Sequence, residues 1–299
     1  MKQKVTVVLT VRNEEKMIRD CLESVKDWAD EIVVVDDSST DKTIEIVKKY
    51  TSKIFNFNSN GYVEASRNFA IQKAKNDWIL VLDADERVGK KLLEKLDDIN
   101  TEEITHVYIP RKNIIFGKWI EHTGWWPDYQ IRYFLKNKIS WPDKIHSKPV
   151  LTGKEERLNP EEDLSILHEN YQTVSQFILR MDRYTTIEAD QSEGEFKWPD
   201  LIKKPSNEFY RRFFVGNGYK DNLHGLALSI LMVFYVFVVQ LKLWEKKKFV
   251  ETNQKEFMDN LEKEAKTVAK EFGFHFMNQK INNTKNIFQK NFLRVKSKI

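Results

Sequence analysis

Two carboxylates one residue apart, Asp83 and Asp85, close the apolar run Trp78-Ile-Leu-Val-Leu82. A short run of large and branched residues reads as a buried parallel strand. Acids at the carboxyl end of such a strand point into the crevice where open α/β sheets bind ligands. Hard oxygen ligands placed there suit a divalent cation that itself holds a phosphate. The competing reading is a solvated turn, with Glu86 and Arg87 as part of a charged face. A second run, Glu31-Ile-Val-Val-Val-Asp-Asp37, also ends in paired acids. An acid closing that strand is placed to accept a hydrogen bond from a ribose. A sheet edge carrying both acceptors suits a nucleoside diphosphate. The chain has no Gly-x-x-x-x-Gly-Lys loop and no Gly-x-Gly-x-x-Gly turn. Neither a P-loop enzyme nor a dinucleotide-binding dehydrogenase is indicated.

These acids need a scaffold. Val5 to Val11 reads as the first strand. Asn13 suits an N-cap, and Met17, Ile18, Cys21, Leu22 and Val25 follow at helical spacing. After the second strand, Thr40 or Asp41 caps a helix through about Lys49, and Lys53 to Phe57 reads as a third strand. Tyr62 to Lys75 reads as the helix that leads into the strand before Asp83. This β-α-β-α-β-α-β order predicts a parallel sheet with helices on both faces, and both acid pairs fall at one edge of it.

Four segments now stand in order: Thr10-Val-Arg-Asn-Glu14, Val34-Val-Asp-Asp-Ser-Ser-Thr-Asp41, Ala65-Ser-Arg-Asn68 and Leu82-Asp-Ala-Asp-Glu86. In sequence and spacing the set closely resembles the pattern of glycosyltransferase family 2, over about the first third of the chain. The resemblance implies the glycosyltransferase A (GT-A) fold, an α/β architecture with a Rossmann-like mixed sheet. It also implies a nucleotide-sugar donor such as a UDP-sugar, a divalent metal (Mg2+ or Mn2+) and an inverting transfer. By motif match, Thr10, Arg12 and Glu14 border the nucleoside, and Asp37 the base or ribose. Arg67 lies near the nucleotide, Asp83 near the ribose, and Asp85 on the metal, with Asp83 beside it. The chemistry agrees, because transfer from a nucleotide sugar expels a diphosphate whose charge a metal can neutralise. On the residues alone, Arg67 could instead pair with Glu64 on a helix surface.

Thr105 to Ile115 reads as one strand. Trp119, Trp125 and Trp126 then fall within eight residues, beside Gly and Pro. Aromatic planes of this kind pack against sugar faces, or they fill a core. Trp125, Trp126 and Arg132, the last on the strand Gln130 to Phe134, are the candidates for the acceptor or sugar cleft. The stretch from the tryptophans to Phe134 is similar, more loosely, to a family 2 subgroup that resembles lipopolysaccharide-core glucosyltransferases. Inverting transfer needs a base for the acceptor hydroxyl. Asp128 is the first choice, with a turn or capping role as its alternative, and His146 and Glu169 are the other choices. The related subgroup often reads His-Glu near His146, where this chain has Ile145-His-Ser-Lys148. No His-Glu-x-x-His spacing links His146 with His168.

Composition sets outer limits. Net charge is +4, which implies no overall polyanion binding and no nucleic-acid partner. The single cysteine, Cys21, excludes an internal disulfide or a Cys-cluster metal site and reads as a buried structural thiol. The apolar run at the start is too short for a signal peptide, so the expected location is the cytoplasmic side of a membrane. Residues 1–190 read as the GT-A catalytic domain and 191–299 as a helical, membrane-associated region. Helices are expected at Thr173 to Ala189, at Ser206 to Phe214 and at Glu251 to Phe272, with Gly216 and Gly218 breaking the second. Leu226 to Leu241 is an apolar run with only Ser229 and Gln240 polar. A spanning helix wants about 20 apolar residues. The run therefore reads as a core helix, an interfacial helix or a short or re-entrant membrane segment. Membrane attachment is favoured, because soluble core helices are seldom apolar all round. From Phe276 to Ile299 the chain carries Lys280, Lys285, Lys290, Arg294, Lys296 and Lys298 and no acid. That suits anionic lipid, or a solvated tail.

The sequence thus predicts a metal-dependent inverting glycosyltransferase acting on a lipid-linked or cell-envelope glycan. A nucleotidyltransferase of related fold is one alternative, although Thr10 to Lys16 lacks that class's Gly-rich basic loop. A non-catalytic glycan-binding protein is the other, against which the intact Asp37, Asp83 and Asp85 argue.

Overall fold

A computed structural model of the protein describes residues 3–58, 63–140, 149–192, 194–284 and 286–296. The chain packs as two compact units. The first comprises Met1–Trp119 and Trp125–Gln172, and the second comprises Ile120–Gly124 and Thr173–Ile299.

In the first unit the strands run β1 Val5–Val11, β2 Glu31–Asp36, β3 Ile54–Asn56, β4 Trp78–Leu82, β5 Glu86–Val88, β6 Ile104–Ile109 and β7 Arg111–Ile115. They continue as β8 Lys118–Trp119, β9 Gln130–Leu135, β10 Ile139–Ser140, β11 Val150–Leu151, β12 Lys154–Arg157 and β13 Ile166–Tyr171. The large sheet has the order β12-β6-β9-β4-β1-β2-β3. The stretch β4-β1-β2-β3 is parallel throughout, as the alternation of strands and helices predicts. β9 enters antiparallel between β4 and β6 and makes the sheet mixed.

Both faces of the sheet are covered, and successive side chains choose opposite faces. Val5, Val7, Leu9, Val34, Leu80 and Leu82 pack with Ile18, Leu22, Val47, Leu92 and Leu96. Val8, Val33, Val35, Ile79 and Val81 pack on the other side with Ala70 and Ile71 of the helix Val63–Lys73 and with Ala74 just after it. Trp78 stacks on Tyr133 at 4.6 Å and anchors β4 against β9.

The expected single strand from Thr105 to Ile115 is two strands. β6 belongs to the large sheet, whereas β7 belongs to a second sheet of order β5-β13-β7-β8. The change falls at Pro110, which has no N–H to give to a ladder. Asn13 is not the expected N-cap. The first helix, Ile18–Glu23, starts five residues later, and Asn13 turns through φ +58°. Its side chain accepts instead from the Thr40 backbone at 2.8 Å.

The second unit is helical. Helix Val174–Gln191 is capped by Thr173, whose hydroxyl accepts from Gln176 N–H. Asp200–Phe209 continues through a wide turn, Tyr210–Val215, and ends at Gly216. Asn222–Lys246 contains the long apolar run, and Gln254–Asn283 and Ile287–Lys296 follow. The helix Val174–Gln191, assigned to the catalytic domain on sequence, thus belongs to the helical unit. Ile120–Gly124 is fastened within it: the buried Asp221 accepts from the His122 backbone at 2.9 Å and lies 3.0 Å from its Nδ1. Gly225 approaches the chain so closely that a Cβ there would lie 1.8 Å from the Gly218 carbonyl oxygen. Gly225→Ala is therefore expected to destabilise the helical unit by about 1–3 kcal/mol. The check is a lower urea midpoint followed by far-ultraviolet circular dichroism.

Candidate active site

The register brings the two acid pairs to one rim. Val11 pairs with Asp36 across β1 and β2, and Leu9 pairs with Leu82 across β1 and β4. The residues following β2 and β4 therefore leave the sheet at the same carboxyl edge. The rim loops after β1 and β2 are zipped together. Asn13 N–H donates to Ser39 Oγ at 3.0 Å, Glu14 N–H to Thr43 Oγ1 at 2.7 Å and Glu15 N–H to Asp41 Oδ2 at 3.1 Å. Asp41 also accepts from Thr43 N–H at 2.9 Å, which starts the helix Thr43–Val47. Thr10 pairs with Val35 just inside the rim. Asp37 N–H donates to the Val11 carbonyl at 2.9 Å, and the exposed Arg12 places Nη1 3.9 Å from Asp37 Oδ2.

At the end of β4 the chain turns sharply. Asp83 N–H donates to Glu86 Oε2 at 3.0 Å, and Glu86 N–H returns to the Asp83 carbonyl at 3.0 Å. Glu86 is fully buried, so it is no part of a solvated charged face. Arg132 donates from Nη2 to Glu86 Oε1 at 2.6 Å and also to Asp83 Oδ2. Arg111 Nη1 lies 3.3 Å from Glu86 Oε1. Arg67, from the helix Val63–Lys73, donates to Asp83 Oδ1 at 3.3 Å. Burial alone would push the Asp83 carboxyl up. The Arg132 and Arg67 guanidiniums outweigh that and hold it well below the usual carboxylate range. Cys21 lies beneath the turn, its Sγ 3.4 Å from the Asp83 carbonyl oxygen, and burial pushes its thiol far up. It is the inert structural thiol that its helical spacing indicates.

Arg132 reaches these acids because β9 is irregular. Val107 pairs with Tyr133 but the next residue, Tyr108, pairs with Ile131. Arg132 is the extra residue, and such a bulge re-aims a side chain. Expected in a sugar cleft, it lies buried beneath the Asp83 turn.

The second sheet supplies the other half of the site. His168 pairs with Glu86 on one side and with Asn113 on the other. Asn113 Nδ2 donates to the Trp125 carbonyl at 2.8 Å and to Asp128 Oδ2 at 3.2 Å, which fixes the amide orientation. Its Oδ1 must therefore accept, and it lies 2.7 Å from His168 Nδ1. That contact places the proton on Nδ1 and turns Nε2 toward Asp85 Oδ2, 3.5 Å away. In the neutral ring an imidazole lone pair faces a carboxylate, an arrangement that a shared cation satisfies. Asp85 and His168 thus fit a metal. Among the described residues no group of three His, Cys, Asp or Glu forms a site on its own, so the remaining positions would fall to phosphate oxygens and water.

Asp128 is firmly held. Arg111 donates to its Oδ2 from Nε at 2.9 Å and from Nη2 at 2.5 Å, and Gln130 donates to Oδ1 at 2.8 Å. Burial raises its pKa, but Arg111 dominates and the net shift is downward. Glu169 lies half-buried on the opposite face of β13 from His168, with its N–H on the Asp85 carbonyl at 2.9 Å. His146 lies outside the described residues. Trp119 meets Trp126 edge-on at 5.3 Å, and Trp125 meets Tyr171 likewise at 6.3 Å.

Glu86, Arg111, Asn113 and His168 were missed as site residues on sequence. The one available signal was polar residues set among apolar strand positions, in Lys112-Asn-Ile-Ile115 and Ile166-Leu-His-Glu-Asn170.

The model of glycosyl transferase family 2 matches residues 6–150. An uncharacterized glycosyltransferase of Rickettsia conorii is 34% identical over 260 residues, covering 81% of this chain and 90% of that protein. The lipopolysaccharide core biosynthesis glycosyltransferase LpsC of Rhizobium meliloti is 27% identical, covering 78% and 89%. A solved structure of S. aureus TarS in complex with UDP is 18% identical, covers 84% of this chain and 93% of that one, and gives a TM-score of 0.45. The chain belongs to glycosyltransferase family 2. It is a glycosyltransferase of GT-A fold, and the nucleotidyltransferase and non-catalytic alternatives fall away with that assignment.

Two outcomes test the buried charges. Arg132→Ala takes from the buried Glu86 its shortest cationic contact and is expected to cost about 3–5 kcal/mol, whereas the Glu86→Met/Arg132→Met double variant costs less than the single change. Urea unfolding of the three proteins decides it. The second outcome concerns acid. Asp83 and Asp128 have folded pKa values below their unfolded ones, so their stabilisation is complete above the unfolded value of about 4 and is lost as pH falls through the depressed values. The urea midpoint should fall below about pH 4, and less steeply in Arg111→Ala than in the parent protein.

Proposed function

We propose that the protein transfers a sugar, with inversion, from a UDP-sugar to a hydroxyl of a lipid-linked or cell-envelope glycan on the cytoplasmic side of a membrane. The observation that carries the reading is the meeting of Asp85 with the Nε2 face of His168 beside the rim that also bears Asp37. LpsC, described as a lipopolysaccharide core enzyme, supports the choice of an envelope acceptor.

In this reading Asp37 and Arg12 hold the nucleoside, with Thr10 and Glu14 at its border. Arg67 and Arg132 keep Asp83 anionic beside the ribose. Asp85 and His168 hold Mg2+ or Mn2+, which when bound neutralises the charge that develops on the departing diphosphate. The aromatic group of Trp125 and Trp126 borders the sugar or the acceptor.

A base must take the acceptor proton as its oxygen forms a bond to the anomeric carbon and the bond to the diphosphate breaks. Asp128 serves this role poorly, because Arg111, Asn113 and Gln130 occupy it and its basicity is lowered. It acts instead as a positioning residue, through Asn113 to His168. Glu169 is the better base. Its backbone touches Asp85, and among the described residues its side chain makes no hydrogen bond. His146 is the remaining choice.

Release of UDP from a panel of UDP-sugars, with and without Mg2+ or Mn2+, is the direct test. Asp85→Ala is expected to lower turnover by about a hundredfold or more, with secondary structure unchanged. Full activity in chelator would overturn the metal assignment. Glu169→Gln is expected to lower turnover while UDP binding by calorimetry stays the same, and unchanged turnover would pass the base role to His146.

A further inference from the structure

We propose that the helix Asn222–Lys246 lies in the plane of an anionic membrane leaflet, with one face on protein and the other in the acyl boundary, and does not cross the bilayer. The proposal stands apart from the donor chemistry and is tested without it.

The first observation is where exposed apolar side chains lie. Among the described residues, Val150 is the sole large apolar side chain recorded as exposed in the catalytic unit. The helical unit exposes Leu179, Val215, Leu223, Phe234, Phe274 and Phe288, among others. The second observation is which residues of the helix turn inward and which outward. Its apolar run contains two polar residues, Ser229 and Gln240, and both lie on the buried face, at 0% and 4% exposure, together with Leu228 and Val239. Leu223, Ile230 and Phe234 stand out at 74%, 40% and 54%. Their spacing of seven and four residues places them on one stripe. A water-soluble helix turns its polar residues outward, whereas here they share the buried face and large apolar side chains are left outside.

Length and composition alone also allow a span. The neighbours of the helix argue against it. Tyr235 donates to Glu188 at 2.8 Å, Gln240 accepts from Lys204 at 3.3 Å and Lys242 donates to Asp182 at 2.7 Å. Glu188 and Asp182 lie on Val174–Gln191 and Lys204 on Asp200–Phe209, the two helices packed beside it. A crossing helix would carry Glu188, bonded to Tyr235 beside the helix midpoint, to hydrocarbon depth, at a cost of about 2.5 kcal/mol or more, with Lys204, Asp182 and Lys242 toward one end. An in-plane helix keeps them on the aqueous side.

Charge complementarity selects the occupant. Lys220 precedes the helix, and Lys246, Lys247 and Lys248 follow its apolar run, where long stems reach a headgroup layer. The helix Ile287–Lys296 adds a second element of the same kind, with Ile287 and Phe288 exposed at 67% and 82%, in a stretch rich in lysine and free of acids. A basic amphipathic helix of this type lies on anionic lipid.

The full-length protein should sediment with vesicles of phosphatidylcholine and phosphatidylglycerol, and far less with phosphatidylcholine alone or in high salt. The Ile230→Asp/Phe234→Asp variant should bind at least about tenfold more weakly with an unchanged circular dichroism spectrum. Cysteines placed singly by Lys220→Cys and Lys248→Cys should both react with an impermeant maleimide added outside sealed, protein-coated vesicles. Three results would overturn the proposal: protection of one end, undiminished binding by the Asp variant, or a dimer in solution that the Asp variant dissociates without any vesicle binding.

Discussion

A fully buried carboxylate, Glu86, is the constraint around which the catalytic unit is assembled. Taking an anion out of water costs several kcal/mol, and the cost is offset only where cations and donors meet it with good geometry. Glu86 is met by Arg132, by Arg111 and by the Asp83 amide. Those groups come from the end of β4, from the bulge in β9 and from the first residue of β7. The acid therefore couples the large sheet to the small one. Asp83 and Asp128 complete the set, so three carboxylates face Arg67, Arg111 and Arg132. The charges balance, which is what permits such a cluster to exist under the sheet edge. Specificity, more than stability, is the gain from such a cluster, since apolar replacements of buried ion pairs are often as stable.

Two breaks in regularity put these groups where they are. At Pro110 the chain leaves the large sheet, and the very next residue, Arg111, turns back onto Glu86 and Asp128. At Arg132 the bulge inserts one residue into β9 and rotates its guanidinium under the Asp83 turn. An uninterrupted strand at either place would send the arginine elsewhere. Local irregularities in strands gather beside active sites for this reason.

Much of this was legible in the sequence, and the rest was not, for definable reasons. The strands Val5–Val11, Glu31–Asp36 and Trp78–Leu82 announce themselves as short apolar runs, and the acids that follow them share an edge because parallel strands do. Alternation reads Thr105 to Ile115 as continuous, because residues on both sides of Pro110 keep the same period while joining different sheets. The row Glu86, His168, Asn113 depends on a register between strands far apart in the chain, and no local pattern encodes that. Asp128 reads as a catalytic base because it lies between an aromatic cluster and a strand, downstream of Asp83 and Asp85. Arg111, which occupies it, lies in a different strand. In the helical unit the apolar run was plain, but composition does not say which of its faces turns inward. Ser229 and Gln240 become informative only once they are found buried.

The two acids that drew attention first are not equivalent, and the difference follows from what surrounds them. Asp83 is gripped by two guanidiniums and its own turn, so its negative charge is largely neutralised before any ligand arrives. Asp85, two residues on, has passed through the turn onto the second sheet, where its carbonyl is held by Glu169 N–H and its carboxylate faces an imidazole nitrogen. Like side chains in unlike environments take unlike roles. A neutralised Asp83 suits hydrogen bonding to a sugar hydroxyl, which needs an acceptor but little net charge. The Asp85 carboxylate meets the Nε2 of His168, whose ring orientation is fixed through Asn113 and the Trp125 carbonyl. Spacing of one residue on a strand would have made the pair a symmetric clamp. The turn that Glu86 closes is what makes them different.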